Sequence, residues 1–99
     1  MENSQNNASK TENYKFILFI SGMSTKSSHA IENLRKISEQ YLKDADLQII
    51  DIRTDQKKAV EYQIIAVPTL LKVAPNPQRT ILGDLSDTEK VLKILDIID

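Results

Sequence analysis

This chain of 99 residues contains no cysteine and only one histidine, His29. Without cysteine, the chain has no disulfide bond, no thiolate nucleophile and no cysteine-ligated metal. One histidine cannot supply a histidine cluster either. The sequence therefore excludes thiol redox chemistry by its own side chains, and no metal site or cofactor is expected.

The chain also lacks a long hydrophobic segment and a large excess of charge. None of its apolar runs approaches the ~20 residues that a membrane-spanning helix needs, and the N-terminus has no secretory pattern. Thirteen basic and fourteen acidic side chains give a net charge of −1, whereas nonspecific attraction to nucleic acid or anionic membrane needs a basic excess. We expect a cytoplasmic protein that binds neither nucleic acid nor membrane.

What the sequence does contain is typical of one small globular domain. Apolar residues make up 40% and charged residues 27% of the chain, which are ordinary proportions. Residues 1–13 have only Met1 and Ala8 as apolar side chains, too few to offset the entropy of ordering the segment. We predict a disordered polar tail over residues 1–13 and a single domain over residues 14–99.

Hydrophobic periodicity predicts seven elements within that domain. Short apolar and β-branched runs indicate strands, and apolar residues at three- and four-residue spacing behind capping side chains indicate helices. The last helix follows Ser86 and Glu89, which have the spacing of a capping box. The predicted strands cover residues 14–21, 47–52, 69–73 and 79–82, and the predicted helices cover residues 27–42, 55–62 and 86–98.

The resulting order, β-α-β-α-β-β-α, is that of a thioredoxin-like α/β fold. Strand–helix–strand at the start implies a crossover and a parallel pair, and the last two strands form a hairpin. Pro68 stands where thioredoxin-like domains place a proline, usually cis, at the start of the third strand. A cis X–Pro bond costs only ~0.5–1 kcal/mol, so the surrounding structure can fix it.

The junction after the first strand carries no redox pair. Thioredoxin-like redox enzymes place Cys-x-x-Cys here, whereas this chain has Ser24 and Thr25 within a serine-rich connector. These hydroxyls either cap the following helix, which we favour, or bind a thiol such as glutathione beside Pro68. Because His29 has no nucleophile positioned with it, we predict no catalytic residue, no enzyme activity and no small-molecule substrate.

The basic side chains allow two interpretations. Lys57, Lys58, Lys72 and Arg79 either form solvated surface charges or gather into a basic rim that docks a partner. Composition and spacing alone therefore favour a recognition domain without an active site.

The C-terminal half closely resembles the KaiB family. The similarity is carried by three segments in register, residues 66–73 (AVPTLLKV), residues 75–79 (PNPQR) and residues 81–92 (ILGDLSDTEKVL), and it extends over about residues 14–98. The resemblance implies a non-enzymatic adaptor that binds a KaiC-type ATPase and modulates its phosphorylation or signalling, in a clock-like system or in stress adaptation. It also implies a homo-oligomer, dimer or tetramer, and a second, ground-state arrangement, β-α-β-β-α-α-β. A self-assembling stress protein without a KaiC partner is the remaining alternative.

The resemblance also implies candidate site residues. Gly83 and Asp84 match a Gly-Asp pair whose replacement biases the family towards the thioredoxin-like state. Slow isomerisation of X–Pro bonds, ~10–100 s, adds the three prolines as candidates for switching. Partner contacts are expected at aligned first-strand, first-helix and basic positions. The fold-switch candidates are Pro68, Pro75, Pro77, Gly83 and Asp84, and the partner-contact candidates are Ile17, His29, Lys72 and Arg79.

Overall fold

A computed structural model describes residues 11–98 of the chain. Its elements follow the predicted order, with strand ends within one residue of those predicted. The strands are β1 (Lys15–Ile20), β2 (Asp46–Asp51), β3 (Thr69–Ala74) and β4 (Arg79–Leu82), and the helices are α1 (Thr25–Tyr41), α2 (Gln56–Glu61) and α3 (Thr88–Ile94).

The four strands form one sheet in the order β2-β1-β3-β4. β1 pairs with β2 in parallel and with β3 antiparallel, and β3 pairs antiparallel with β4. Phe16 to Ile20 of β1 are all buried, because this central strand is covered on both faces. The parallel pair, the hairpin and the thioredoxin-like arrangement predicted from the sequence are confirmed.

Successive side chains of the strands feed two separate cores. α1 and α3 cover one face, where Leu18 and Leu70 of the sheet meet Leu34 and Leu92 of the helices. The segment after α2 packs on the other face through Tyr62 and Ile64, over a smaller cluster that includes Phe19. The alternation of the strands thus explains why β1 needs five consecutive apolar residues.

The helix ends show where the sequence prediction was wrong. α1 begins two residues earlier than predicted, at Thr25, because Ser24 is its N-cap and accepts a hydrogen bond from the Ser27 amide at 3.3 Å. The cap of α3 is Asp87, whose carboxylate accepts from the Lys90 amide at 3.1 Å, so the predicted capping box at Ser86 does not form.

The end of α3 also differs from its prediction. The helix stops at Ile94 because Asp96 adopts a left-handed backbone with φ of 63°. Ile97 nevertheless packs against the core beneath α1 and α3. Its apolar side chain therefore serves packing after the helix, which is why a periodicity pattern extended the helix too far.

The N-terminal boundary lies earlier than expected. The Tyr14 amide donates to the Thr11 carbonyl at 3.1 Å, and Thr11 is buried. Residues 11–13 therefore form a turn on the domain, where the sequence predicted a disordered tail. The rest of that predicted tail, residues 1–10, lies outside the described residues.

Two further backbone features bear on the sequence predictions. The peptide bonds preceding Pro68, Pro75 and Pro77 are cis, as the thioredoxin-like arrangement implied for Pro68. No helix within residues 11–98 is long and apolar enough to cross a membrane.

Candidate protein-interaction surface

The end of β1, where thiol redox enzymes of this fold carry their cysteines, is closed by an ion pair. Asp51 accepts hydrogen bonds from the Gly22 amide at 3.2 Å and from the Arg53 amide at 3.0 Å, and its Oδ2 lies 3.0 Å from Nη2 of Arg53. The hydrogen bond from the Arg53 side chain is the main cause that lowers the pKa of Asp51 to about 2. The carboxylate is therefore held ionised as a structural acceptor.

The Arg53 guanidinium lies directly over Gly22. A Cβ added at Gly22 would lie 2.5 Å from Cζ of Arg53, and Gly22 has a positive φ of 58°. The positive φ favours glycine at this position, and any other side chain would also have to displace the Arg53 guanidinium. Ser24 is engaged as the cap of α1, which agrees with the capping interpretation of the serine-rich connector.

Two of the four sequence-predicted contact residues are buried in this arrangement. Ile17 and Lys72 each have an exposed fraction of only 1%. Ile17 lies on the central strand in the second core, and Lys72 lies on the sheet face covered by α3. Neither side chain can reach a partner here, whereas His29 and Arg79 are exposed. The predicted basic rim is also wrong in its inclusion of Lys72.

Lys72 instead belongs to a charge cluster in which it is buried, whereas Asp96 and Arg79 are each 43% exposed. Its Nζ lies 3.3 Å from Oδ2 of Asp96 and 3.4 Å from the Leu95 carbonyl oxygen, and it stands 5.5 Å from the centre of the Tyr14 ring. Arg79 donates from Nε to the same Asp96 oxygen at 3.1 Å. These hydrogen bonds, that from Arg79 first, lower the pKa of Asp96. The cluster ties the β3–β4 hairpin to the residues after α3.

The structure separates the fold-switch candidates into two groups. Gly83 donates its amide to the Pro68 carbonyl at 3.0 Å, so these two residues meet at one end of the hairpin. Pro75 and Pro77 lie at its other end, in the connection between β3 and β4. Asp84 uses its backbone carbonyl to accept from the Asn33 side chain at 2.7 Å and so holds the loop to α1.

The backbone conformation of Gly83 opposes what the resemblance implied. Its φ is 108°, in the left-handed half of conformational space, although no atom lies within 4 Å of an added Cβ. Replacement by alanine would strain this arrangement. The expectation that replacing Gly83 favours the thioredoxin-like state therefore conflicts with the geometry of that state.

The sequence patterns do not identify the most exposed apolar side chains. Ile65 is 90% exposed, Met23 78% and Val60 76%. Gln63 has a positive φ of 57°, and the Ile64 amide donates to the Ala59 carbonyl at 2.8 Å, so the chain folds back over the end of α2. Ile64 then packs against the second core, which leaves its neighbour Ile65 in solvent.

Val60 lies on the outer side of that helix. It lines a shallow cavity together with Gln56, Lys57 and Glu61. None of the six residues of α2 is buried, which its sequence pattern does not reveal. Among residues 11–98, no group of three or more acidic or histidine side chains could hold a metal ion.

Comparison with solved structures places the fold. The N-terminal domain of Synechococcus elongatus SasA superposes with a TM-score of 0.68 at 20% identity, covering 88% of this chain and 87% of that one. Mitochondrial thioredoxin 3 of Saccharomyces cerevisiae superposes with a TM-score of 0.71 at 20% identity, covering 94% of this chain and 87% of that one. At this identity the likeness shows the fold alone, which is thioredoxin-like.

Sequence comparison is more specific. The family model of the KaiB domain matches residues 17–97. The circadian clock protein KaiB3 of a Synechocystis species is 43% identical over 82 residues, which are 82% of this chain and 80% of that protein. The circadian clock oscillator protein KaiB of Prochlorococcus marinus is 43% identical over 93 residues, which are 93% of this chain and 85% of that protein. Because the family model matches residues 17–97 and both relatives are 43% identical over most of the chain, the chain belongs to the KaiB family.

Proposed function

We propose that this protein is a non-enzymatic adaptor that binds a KaiC-type ATPase in the cytoplasm and modulates its phosphorylation or signalling. Family membership supports a clock-related adaptor, because the relatives above are named as circadian clock proteins. The ion-paired junction after β1 supports recognition over thiol chemistry. The identity of the partner, and the process that this partner controls, would distinguish a clock-like system from stress adaptation.

The observation that carries this proposal is the exposure of Val60 and Ile65. Large aliphatic side chains at 76% and 90% exposure contribute nothing to the core of this chain. Burying such a side chain fully contributes ~1.5–3 kcal/mol, so a partner that covers both gains a substantial part of its binding free energy. The two residues lie on one short segment, α2 and the turn after it.

Charges around this apolar pair give the surface a polar rim. Lys57 and Glu61 line the same shallow cavity as Val60. Nζ of Lys58 lies 3.7 Å from Oε1 of Glu61. An apolar centre with a mixed-charge rim is typical of a protein–protein interface. The opposite signs of the rim favour a protein partner over a polyanion. His29 and Arg79 stay predicted contacts, since both are exposed.

The proposal is tested by binding to a purified KaiC-type ATPase with ATP present. The double substitution Val60→Thr with Ile65→Ser should weaken binding about tenfold or more, since each ~1.4 kcal/mol lost is a factor of ten. The matched control is Ile49→Ser on β2, where another aliphatic side chain is 49% exposed. Circular dichroism melts establish that all variants fold.

The outcomes separate the surface from the function. If the wild-type protein fails to bind such an ATPase in every phosphorylation state, the adaptor function is wrong. If it binds, and the α2 variant binds equally well while still altering the ATPase's phosphorylation, the α2 surface is wrong and the partner contacts lie elsewhere. Loss of binding by the Ile49 control alone would move the contact to β2.

A further inference from the structure

A groove runs between the end of β4 and helix α3. Its lining includes the buried side chains of Ile81 on the strand, Leu85 in the loop and Val91 on the helix. Ile94, further along α3, lines the same groove and is half-buried. The groove therefore has an apolar floor that a ligand can reach from solvent.

The size of the groove suits one large apolar side chain. Its cavity measures about 170 Å³, and an apolar cavity of ~150 Å³ holds one benzene molecule. The side chain of a leucine or a phenylalanine is of this size. No atom lies within 4 Å of a Cβ added at Gly83, so the wall of the groove stays open there to the backbone of a ligand.

The strand that borders the groove offers backbone hydrogen bonds as well. Among residues 11–98, β3 is the only strand that pairs with β4. The Gly83 amide donates inward to the Pro68 carbonyl at 3.0 Å, and inward and outward groups alternate along an antiparallel strand. The N–H and C=O groups of Thr80 and Leu82 therefore face away from β3.

An extended peptide can use this edge and the cavity together. A peptide strand beside β4 would hydrogen-bond to the outward groups of Thr80 and Leu82. The peptide residue opposite Ile81 would then place its side chain on the same face of the sheet as Ile81. Because Ile81 belongs to the core beneath α1 and α3, that side chain points into the groove. Strand addition with a side-chain pocket is a recurrent mode of peptide recognition.

Charges where β4 ends favour a basic residue in the peptide. Asp84, Asp87 and Lys90 line the groove, which gives two carboxylates against one ammonium. Oδ1 of Asp84 accepts from the Ser86 amide at 3.2 Å, and Oδ1 of Asp87 accepts from the Lys90 amide at 3.1 Å. The Oδ2 atoms accept no hydrogen bond from the residues that the structure describes, so they can accept one from a ligand.

The direction of the peptide decides where its basic residue lies. Antiparallel pairing is slightly more stable per residue than parallel pairing. In an antiparallel peptide, the residues that precede the apolar one lie beside Gly83 and Asp84, since these follow Ile81 along β4. The basic residue therefore comes two or three positions before the apolar residue.

We propose that the groove between β4 and α3 binds an extended peptide segment of a partner protein, antiparallel to β4. A large apolar side chain of the peptide fills the cavity, and a lysine or arginine two or three positions earlier contacts Asp84 and Asp87. This goes beyond the ATPase contact proposed at α2, where Ile64 packs on the other face of the sheet. One chain can therefore engage both partners.

Selection from a library of random ten-residue peptides against the immobilised full chain tests the site. We expect enrichment of peptides that carry lysine or arginine two or three positions before leucine, isoleucine, methionine or phenylalanine. Enrichment of no peptide overturns the proposal, and so does enrichment of peptides without that basic residue.

Two variants locate the bound peptide, whose dissociation constant is measured by fluorescence anisotropy. Leu82→Pro removes one outward N–H and leaves the pairing with β3 intact, so it should weaken binding about threefold or more. Asp84→Asn with Asp87→Asn keeps both backbone hydrogen bonds, because asparagine accepts them too. This double variant should weaken binding about threefold and lose the preference for a basic peptide over its glutamine analogue.

The α2 variant, Val60→Thr with Ile65→Ser, is the matched control and should bind the peptide as tightly as wild type. Circular dichroism melts establish folding, and if Leu82→Pro does not fold, the asparagine variant decides. Unchanged affinity in the folded groove variants overturns the proposal, as does loss of the peptide by the α2 variant alone. Affinity that falls as protein concentration rises would assign the groove to a second copy and also overturn it. Because no ATPase is used, failure of the adaptor function leaves this test unaffected.

Discussion

At the scale of single residues, the least expected feature is the buried ammonium of Lys72. A buried charge is tolerated only with hydrogen-bonding partners, and removing one partner leaves the other uncompensated. Lys72 is 1% exposed, and its carboxylate partner among residues 11–98 is Asp96, at 3.3 Å. The energetic role of Asp96 therefore depends on the presence of Lys72.

We expect Asp96→Asn to lower the free energy of unfolding, because it removes the negative charge that pairs with Lys72 and accepts a hydrogen bond from Arg79. Lys72→Met should stay within about 1.5 kcal/mol of wild type, since methionine fills similar volume without a charge. The double variant should be more stable than Asp96→Asn alone. Urea denaturation of the four proteins measures this, and simple additivity of the two substitutions would contradict the assigned pairing.

At the scale of elements, the connection between β4 and α3 has the most demanding geometry. Gly83 has φ of 108° and Leu85, which is buried, has φ of 65°. A positive φ is uncommon for residues other than glycine, and only the first of these two positions is occupied by glycine. The loop is held by the bond from Gly83 to Pro68 and by that from Asn33 to Asp84.

Gly83→Ala should destabilise the thioredoxin-like arrangement by about 1–3 kcal/mol, the usual cost of a strained backbone conformation. Ser86→Ala in the same loop is the control, and we expect a change within about 0.5 kcal/mol for this exposed residue. Thermal melts and two-dimensional NMR spectra report stability and the population of each arrangement. An increase in the thioredoxin-like population on Gly83→Ala would instead support the expectation carried by the family resemblance.

The elements also show what a sequence can predict here. Alternation and helical spacing predict the order of all seven elements, although none of the residues of α2 is buried. Strand alternation is also consistent with the burial of Lys72, which lies on the same strand face as Leu70, two residues away. The sequence does not indicate the partner of Lys72, since Asp96 lies 24 residues later. It also does not indicate which side of a short helix such as α2 stays uncovered.

At the scale of the whole molecule, stability should depend on acid pH. Hydrogen bonds lower the pKa of Asp51 from 3.8 to about 2, and that of Asp96 is lowered as well. A carboxyl group with a lower pKa in the folded state binds protons more weakly there than in the unfolded chain. Its stabilisation is complete above about pH 4 and is lost as the pH falls towards the folded-state value.

We therefore expect the thermal midpoint to be steady between about pH 7 and 5 and to fall below about pH 4. Asp51→Asn should flatten part of that fall, because the amide does not titrate. Asp44→Asn, in the exposed turn between α1 and β2, serves as the control and should leave the shape of the profile unchanged. Calorimetry at a series of pH values checks both variants, and identical slopes for all proteins would rule out the assigned role of Asp51.

The link between Lys72 and Asp96 has a further consequence for how the protein is made. A ribosome releases the chain from its N-terminus, and domains begin to fold in that order. β3 and its lysine leave the ribosome before the aspartate 24 residues later. Until Asp96 follows, burial of the Lys72 side chain lacks its counter-charge, which disfavours that burial. We therefore expect the thioredoxin-like arrangement to be completed only after the residues that follow α3 have left the ribosome.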